Sequence, residues 1–308
     1  MSFNLTILGC HSPPPKLNRN NSSQILEINN NLFLIDCAEN TQVNLRKYNF
    51  GFQKIHSIFI SHLHGDHYLG IFGLIFSMHL LGRKKKLNIY APNKLKELID
   101  LSHKLSFTSL NFQINFIPLN FAEKSTLYED EKLIISSFPL KHSISCCGFV
   151  FKEKIKPRKI NRKMIDYYEI PKFELNKLKK GYDYLMENGS ILKNFDLTLN
   201  PNKSFSYAYC SDTLFFPKVT EFFNDIDLLY HEATFLDIDK KIAKKTFHST
   251  SKEAARIADI TNSKNLLIGH FSSRYKSTDN FLKESKMIFK NSKLAYDGLK
   301  IDFSFFLK

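Results

Sequence analysis

Three histidines and a carboxylate fall within six residues, at His62, His64, Asp66 and His67. Imidazole nitrogens and carboxylate oxygens together suit zinc and similar divalent ions. The apolar run Ser57 to Ile60 leads into this stretch and predicts a buried strand. Gly65 permits a sharp turn, and Tyr68 to Leu81 predicts a buried helix. The four groups would then sit at the C-terminal end of a strand, where open α/β sheets place their sites. A single buried histidine is usually a packing residue, but four ligand-type groups in one turn are poorly explained that way. His142, Asp212, His231 and His270 share the same context, each following the end of an apolar strand. Separate strand ends of one sheet can converge on one point. His11, His56, His79 and His103 lack that context and read as ordinary packing or surface residues.

The His-x-His-x-Asp-His pattern resembles that of the metallo-β-lactamase superfamily of two-metal hydrolases. That group includes lactamases, thioesterases, lactonases and nucleases. Two metals need a bridge, and a carboxylate with two oxygens does this best; Asp212 is the candidate. The expected sets are His62, His64, His142 and Asp212 on one divalent ion, most simply zinc, and Asp66, His67, Asp212 and His270 on the other. A water between them would be ionised near neutral pH and act as nucleophile.

The elements that must position these groups can be read in order. Strands are predicted at 3–8, 23–28, 31–36, 87–91, 112–117, 132–139, 147–151, 204–210, 227–230, 266–269 and 299–305. Asn29-Asn30 reads as a hairpin turn with positive φ. Helices are predicted near 39–48, 92–105 and 280–290, with another after Thr246 to Thr250. Ser249, Thr250 or Ser251 could cap that helix, with Glu253 in its first turn. Strand-rich and helix-rich portions recur in both halves, which suits an α/β fold of two packed sheets with outer helices. The chain has 308 residues, 43% of them hydrophobic, enough for a sizeable core. The longest apolar stretch, 71–82, is too short to span a bilayer, and no secretory signal pattern precedes the first strand. The five cysteines show no ligand spacing and read as reduced, buried thiols. A soluble, cytoplasmic protein is expected.

Net charge is +14, a balance that favours polyanionic partners. It is not evenly spread. Residues 152–180 hold eleven basic side chains against four acids, an excess of +7. Lys152, Lys154, Lys156, Arg158, Lys159, Arg162, Lys163, Lys179 and Lys180 belong to this run, with Tyr167, Tyr168 and Phe173 interleaved. It predicts a protruding basic arm, residues 152–181, inserted in a single domain of residues 1–308, with little apolar surface of its own to bury. Such a mixture of cations and aromatics suits an RNA or DNA contact.

The later motifs choose among the hydrolases. His231-Glu232-Ala233-Thr234, Phe247-His248-Ser249-Thr250, His270-Phe271-Ser272-Ser273-Arg274-Tyr275 and Ser211-Asp212-Thr213 resemble those of the ribonuclease Z family in its short form. The resemblance runs in matching order over nearly the whole chain. It implies an αββα sandwich, zinc, a homodimer with no further protein partner, and cleavage of the 3′ trailer from precursor tRNA. Asp66 is then expected to orient or deprotonate the water, and His248 to protonate the departing oxygen with Glu232 or His231 orienting it. Arg274 and the arm's cations are the expected substrate contacts. The arm matches the family's exosite in position, but its usual Gly-Pro-rich tip is not seen. The alternative is a general phosphodiesterase or small-ester hydrolase of the same superfamily.

Overall fold

In a computed structural model, which describes residues 2–306, the strands in chain order are β1 (Phe3–Gly9), β2 (Ser23–Ile28), β3 (Asn31–Ile35), β4 (Ile55–Phe59), β5 (Leu87–Ala91), β6 (Ile114–Pro118), β7 (Ser125–Glu129), β8 (Leu133–Leu140), β9 (Cys146–Glu153), β10 (Lys159–Ile160), β11 (Tyr184–Leu185), β12 (Ile191–Leu192), β13 (Thr198–Leu199), β14 (Ser206–Cys210), β15 (Leu228–Glu232), β16 (Leu266–Gly269), β17 (Ser292–Leu294) and β18 (Lys300–Asp302). Two seven-stranded sheets result, ordered β18-β1-β2-β3-β4-β5-β6 and β17-β16-β15-β14-β9-β8-β7. In the first sheet β3 to β6 run parallel, while β18, β1, β2 and β3 pair antiparallel; in the second, β14 to β17 run parallel. No helix among the described residues is long and apolar enough to cross a membrane.

Between the sheets the core is aromatic. Phe33 and Phe59 of the first sheet meet Phe149 and Phe151 of the second at ring distances of 5.4–6.1 Å. Outside the first sheet, Leu45, Ile71, Leu74, Ile75, Leu95 and Ile99 of the helices Thr41–Lys47, Ile71–Leu80 and Lys94–Leu105 close a second core. Outside the second sheet, Ala254, Ala255, Ile257 and Phe281 of the helices Ser251–Ile260 and Asp279–Lys286 close a third. The layering is the expected αββα sandwich. Helix Ser251–Ile260 starts with a complete capping box between Thr250 and Glu253. Asn29 and Asn30 do take φ of 50° and 70° at the β2–β3 turn.

Three local expectations need correction. The helix after the metal turn is two pieces, Gly65–Tyr68 and Ile71–Leu80, because the Gly70 amide donates to the Cys37 carbonyl at 2.9 Å instead of back along the helix. The final strand stops at Asp302, whose carboxylate accepts from the Ser304 amide at 2.8 Å and starts a helical turn. The edge strand β7, Ser-Thr-Leu-Tyr-Glu, was not predicted; it is short and only partly buried.

The chain divides into two compact units, one of residues 128–134 and 152–205, the other of the remainder. The expected arm, 152–181, falls inside the smaller unit, which continues to Phe205. This unit is not bare of apolar packing. Ile165, Ile170, Leu178 and Leu197 are buried together, with Met164, Leu175 and Leu192 against them. Leu192 and Leu197 lie beyond residue 181, and the apolar residues before it are scattered among the cations, which is why the run 152–180 alone looked coreless.

Gly70 is a sharp test of the metal turn's packing, since a Cβ there would lie 1.9 Å from the Ala38 carbonyl oxygen. Gly70→Ala should destabilise the protein by about 1–3 kcal/mol or more in chemical denaturation. Gly51→Ala, with nothing within 4 Å of the added carbon and φ of −81°, should change stability by less than about 1 kcal/mol.

Candidate metal centre and active site

The site is assembled from loops at the C-terminal ends of β4, β14, β15 and β16 and the loop after β8. His62, His64, Asp66 and His67 follow β4; His142 follows β8; Asp212 follows β14; His270 follows β16. All seven meet. Asp212 Oδ2 lies 3.7 Å from His62 Nε2 and 3.8 Å from His142 Nε2. Asp212 Oδ1 lies 3.4 Å from both His67 Nε2 and His270 Nε2. Asp66 Oδ2 completes the second group, 3.4 Å from His67 Nε2 and 3.3 Å from His270 Nε2. His64 Nδ1 completes the first, 3.0 Å from His142 Nε2 and 3.2 Å from His62 Nε2. One oxygen of Asp212 thus faces each group.

The far nitrogens of four of the rings are held. His67 Nδ1 donates to Asp36 Oδ2 at 2.7 Å. His62 Nδ1 lies 3.0 Å from Ser61 Oγ, which donates to the same Asp36 oxygen at 3.0 Å. His142 Nδ1 donates to the Phe247 carbonyl at 2.8 Å. His270 Nδ1 donates to Thr234 Oγ1 at 2.8 Å, and Thr234 Oγ1 to Glu232 Oε2 at 2.8 Å. These contacts fix the tautomers of His62, His67, His142 and His270 so that their Nε2 atoms present lone pairs, the arrangement a metal-binding imidazole requires. Asp36 and His270 take left-handed φ of 53° and 62°, strain that the surrounding bonds must hold.

The donor set fits divalent cations. His67 Nε2 and Asp212 Oδ1 are buried with no hydrogen-bond partner. A buried polar atom left so costs about 1–3 kcal/mol, and a cation between them removes that cost. Burial opposes the charge on Asp212 and Asp66, yet the neighbouring imidazoles hold both carboxyls well below the usual range. Burial and the other rings push the pKa of His62 well down, and those of His64 and His142 down as well.

Beside this centre sits a second pair. His248 Nδ1 donates to Glu232 Oε1 at 3.0 Å. Glu232 also accepts from the amides of Thr213, Ser249 and Thr234 at 2.9–3.1 Å. Burial lowers the His248 pKa, but Glu232 overrides it and raises it to about 9. His231 is not the orienting group. It precedes Glu232 on one strand and so points to the opposite face, where its buried ring donates to a backbone carbonyl at 2.6 Å. His248, Asp66, Asp212 and His270 all line one open cavity of 590 Å³, with Phe235, Glu39 and Pro13 to Pro15. The Arg274 guanidinium covers the Phe235 ring at 5.0 Å.

In the smaller unit the predicted cations divide. Lys154 pairs with Glu129 at 2.6 Å, Lys156 with Glu153 at 2.7 Å, and Arg158 donates to Thr198 Oγ1 at 2.6 Å. Lys152, Lys159, Arg162, Lys163, Lys179 and Lys180 are exposed. Sequence reasoning missed Asp36, Thr234 and Glu39. Asp36 carried the usable signal, an acid ending an apolar strand.

Fold and donor set together define a hydrolase-type metal site on the metallo-β-lactamase fold, and a metallo-β-lactamase fold protein of Bacillus subtilis superposes on the chain with TM-score 0.68 and 19% identity, covering 97% of this chain and 98% of that one. The model of a family described as Anti-Pycsar protein Apyc1 matches residues 3–156. Over nearly the full length the match is to ribonuclease Z: 42% identity to that of Bacteroides fragilis over 97% of this chain and 98% of the relative. The short form of human tRNase Z superposes with TM-score 0.71 and 26% identity, over 97% and 98% of the two chains. The chain belongs to the ribonuclease Z family.

Asp36→Asn keeps the shape but weakens the hold on His67 and Ser61. Metal affinity, measured by competition with a chromophoric chelator, should fall about 10–100-fold. Unchanged affinity would show that these contacts do not set the ligands.

Proposed function

We propose that this chain is a metal-dependent endoribonuclease that removes the 3′ trailer from precursor tRNA, leaving a 3′-hydroxyl on the tRNA and a 5′-phosphate on the trailer. The observation that carries the chemistry is the Glu232–His248 pair opening on the same cavity as Asp66 and Asp212. The choice of tRNA rests on the family and on the exposed cations of the smaller unit.

In this reading His62, His64, His142 and Asp212 would hold one divalent ion, zinc by preference, and Asp66, His67, Asp212 and His270 another; bound there, the pair would supply charge to neutralise phosphoryl oxygens and to acidify a water. Asp66 orients the attacking water and takes its proton. His248 is kept protonated by Glu232, and its Nε2 gives a proton to the departing 3′-oxygen. Phe235, with Arg274 over its ring, forms an apolar wall of the cavity near His248, suited to a nucleotide flanking the scissile bond. Lys152, Lys159, Arg162, Lys163, Lys179 and Lys180 contact tRNA phosphates, each adding roughly one unit to the salt slope.

We also take the protein to be a cytoplasmic homodimer. Leu80, Leu105 and Phe107, 82%, 70% and 97% exposed, lie on and after neighbouring helices and support a self-association face. The five buried free thiols support a reducing compartment.

A 3′-extended tRNA transcript should be cut once, near the end of the acceptor stem, and chelator should abolish the cut. Turnover of small diesters with no cleavage of the transcript would support the general phosphodiesterase instead. His248→Ala should lower kcat on the transcript about 10²–10⁴-fold while leaving metal content intact. On a nitrophenyl phosphodiester, whose leaving group needs no proton, the same variant should lose little. Equal losses on both substrates would remove His248 as the donor.

A further inference from the structure

Four lysines meet at the end of the first sheet opposite the metal ligands. Lys54 immediately precedes β4, and Lys84, Lys85 and Lys86 immediately precede β5, its parallel neighbour. At about 3.3 Å per residue, the eight residues from Lys54 to His62 put this edge roughly 25 Å from the catalytic centre. All four lysines are exposed and line a cleft of 770 Å³ with Asn30, Asn31 and Gln53.

Buried Arg83 makes the rim rigid. Its guanidinium donates to the carbonyls of Ile55 and Lys86 at 2.9 and 3.0 Å, of Lys85 at 2.7 Å and of Phe52 at 3.3 Å. It therefore ties the segment carrying Lys54 to the segment carrying the other three. None of the four lysines forms an ion pair among the described residues, whereas Lys96, Lys177, Lys193, Lys252 and Lys264 each have a carboxylate partner. Glu27 is the one acid lining the cleft. Like charges fixed together without counter-charge repel one another, and a polyanion relieves that repulsion.

We propose that this cleft binds the phosphate backbone of an RNA, at a surface separate from the catalytic cavity. A concave groove with several ammonium groups matches successive phosphates, and the amides of Asn30, Asn31 and Gln53 match phosphate oxygens and ribose hydroxyls. A membrane surface fits poorly, because the cleft offers Leu81 as its single exposed large apolar side chain. Choosing RNA among polyanions rests on the endoribonuclease reading; the anion-binding cleft itself does not.

The test uses the full chain carrying Lys54→Gln, Lys84→Gln, Lys85→Gln and Lys86→Gln together, and a second variant with only Lys84→Gln and Lys86→Gln. Affinity for fluorescent mature tRNA and for single-stranded oligouridylate is measured between 50 and 200 mM salt, conditions under which phosphate contacts are read as a slope (~0.7–0.9 per contact). The quadruple variant should bind at least about tenfold more weakly at the upper salt and show a slope shallower by about three, the double variant about half of that. Hydrolysis of a nitrophenyl phosphodiester and the thermal midpoint should stay at the wild-type values. Unchanged affinity and slope for both RNAs would overturn the proposal, and so would loss of binding to an acidic peptide with RNA binding intact. If the cleft variants lose RNA binding while the wild type never cuts a tRNA precursor, the catalytic reading fails and this one stands.

Discussion

Everything at the catalytic centre depends on two buried carboxylates that stand behind its imidazoles. Asp36 and Glu232 each anchor a chain of hydrogen bonds, through Ser61 to His62, directly to His67, and through Thr234 to His270. One stands at the end of a strand in the first sheet and the other at the end of a strand in the second. Between them they fix the rotation and tautomer of three imidazoles, and the Phe247 carbonyl fixes a fourth. Ring nitrogens that would otherwise rotate freely are thereby aimed at a common point, at the cost of left-handed backbone at Asp36 and His270.

That aim leaves Asp212 in an environment that hydrogen bonds do not satisfy. Its two oxygens look toward two different sets of nitrogen donors, and one of them has no partner at all. An isolated buried carboxylate is among the costliest groups a fold can hold. The neighbouring rings hold its proton off, but they cannot use its second oxygen. The arrangement makes sense as a cradle for cations, and Glu232 links it to His248, so that the group proposed to release the product is set by the same carboxylate that orients a ligand.

Much of this was legible before any coordinates. His62, His64, Asp66, His67, His142, Asp212 and His270 could be picked out because each follows an apolar strand, and strand ends of a sandwich converge. Asp36 obeys the same rule and was passed over as a mere strand end; its function is visible only when Ser61, His67 and Tyr209 arrive from distant segments to bond it. His231 and Glu232 illustrate the limit of motif reading. Alternation along a strand allows only one of two successive residues to face the site, and sequence alone does not say which. The smaller unit was under-read for a different reason: its apolar residues from Ile165 to Leu178 are interleaved with cations, so the run reads as a charged surface, and Leu192 and Leu197, which complete the core, lie beyond it.

The most direct test of the central claim is an anomalous difference map, at the zinc edge, from crystals of the protein grown with zinc. The account predicts two peaks flanking Asp212: one against Oδ2 with His62, His64 and His142, the other against Oδ1 with Asp66, His67 and His270. A single peak, or an Asp212 carboxylate turned away from both sets of rings, would contradict it.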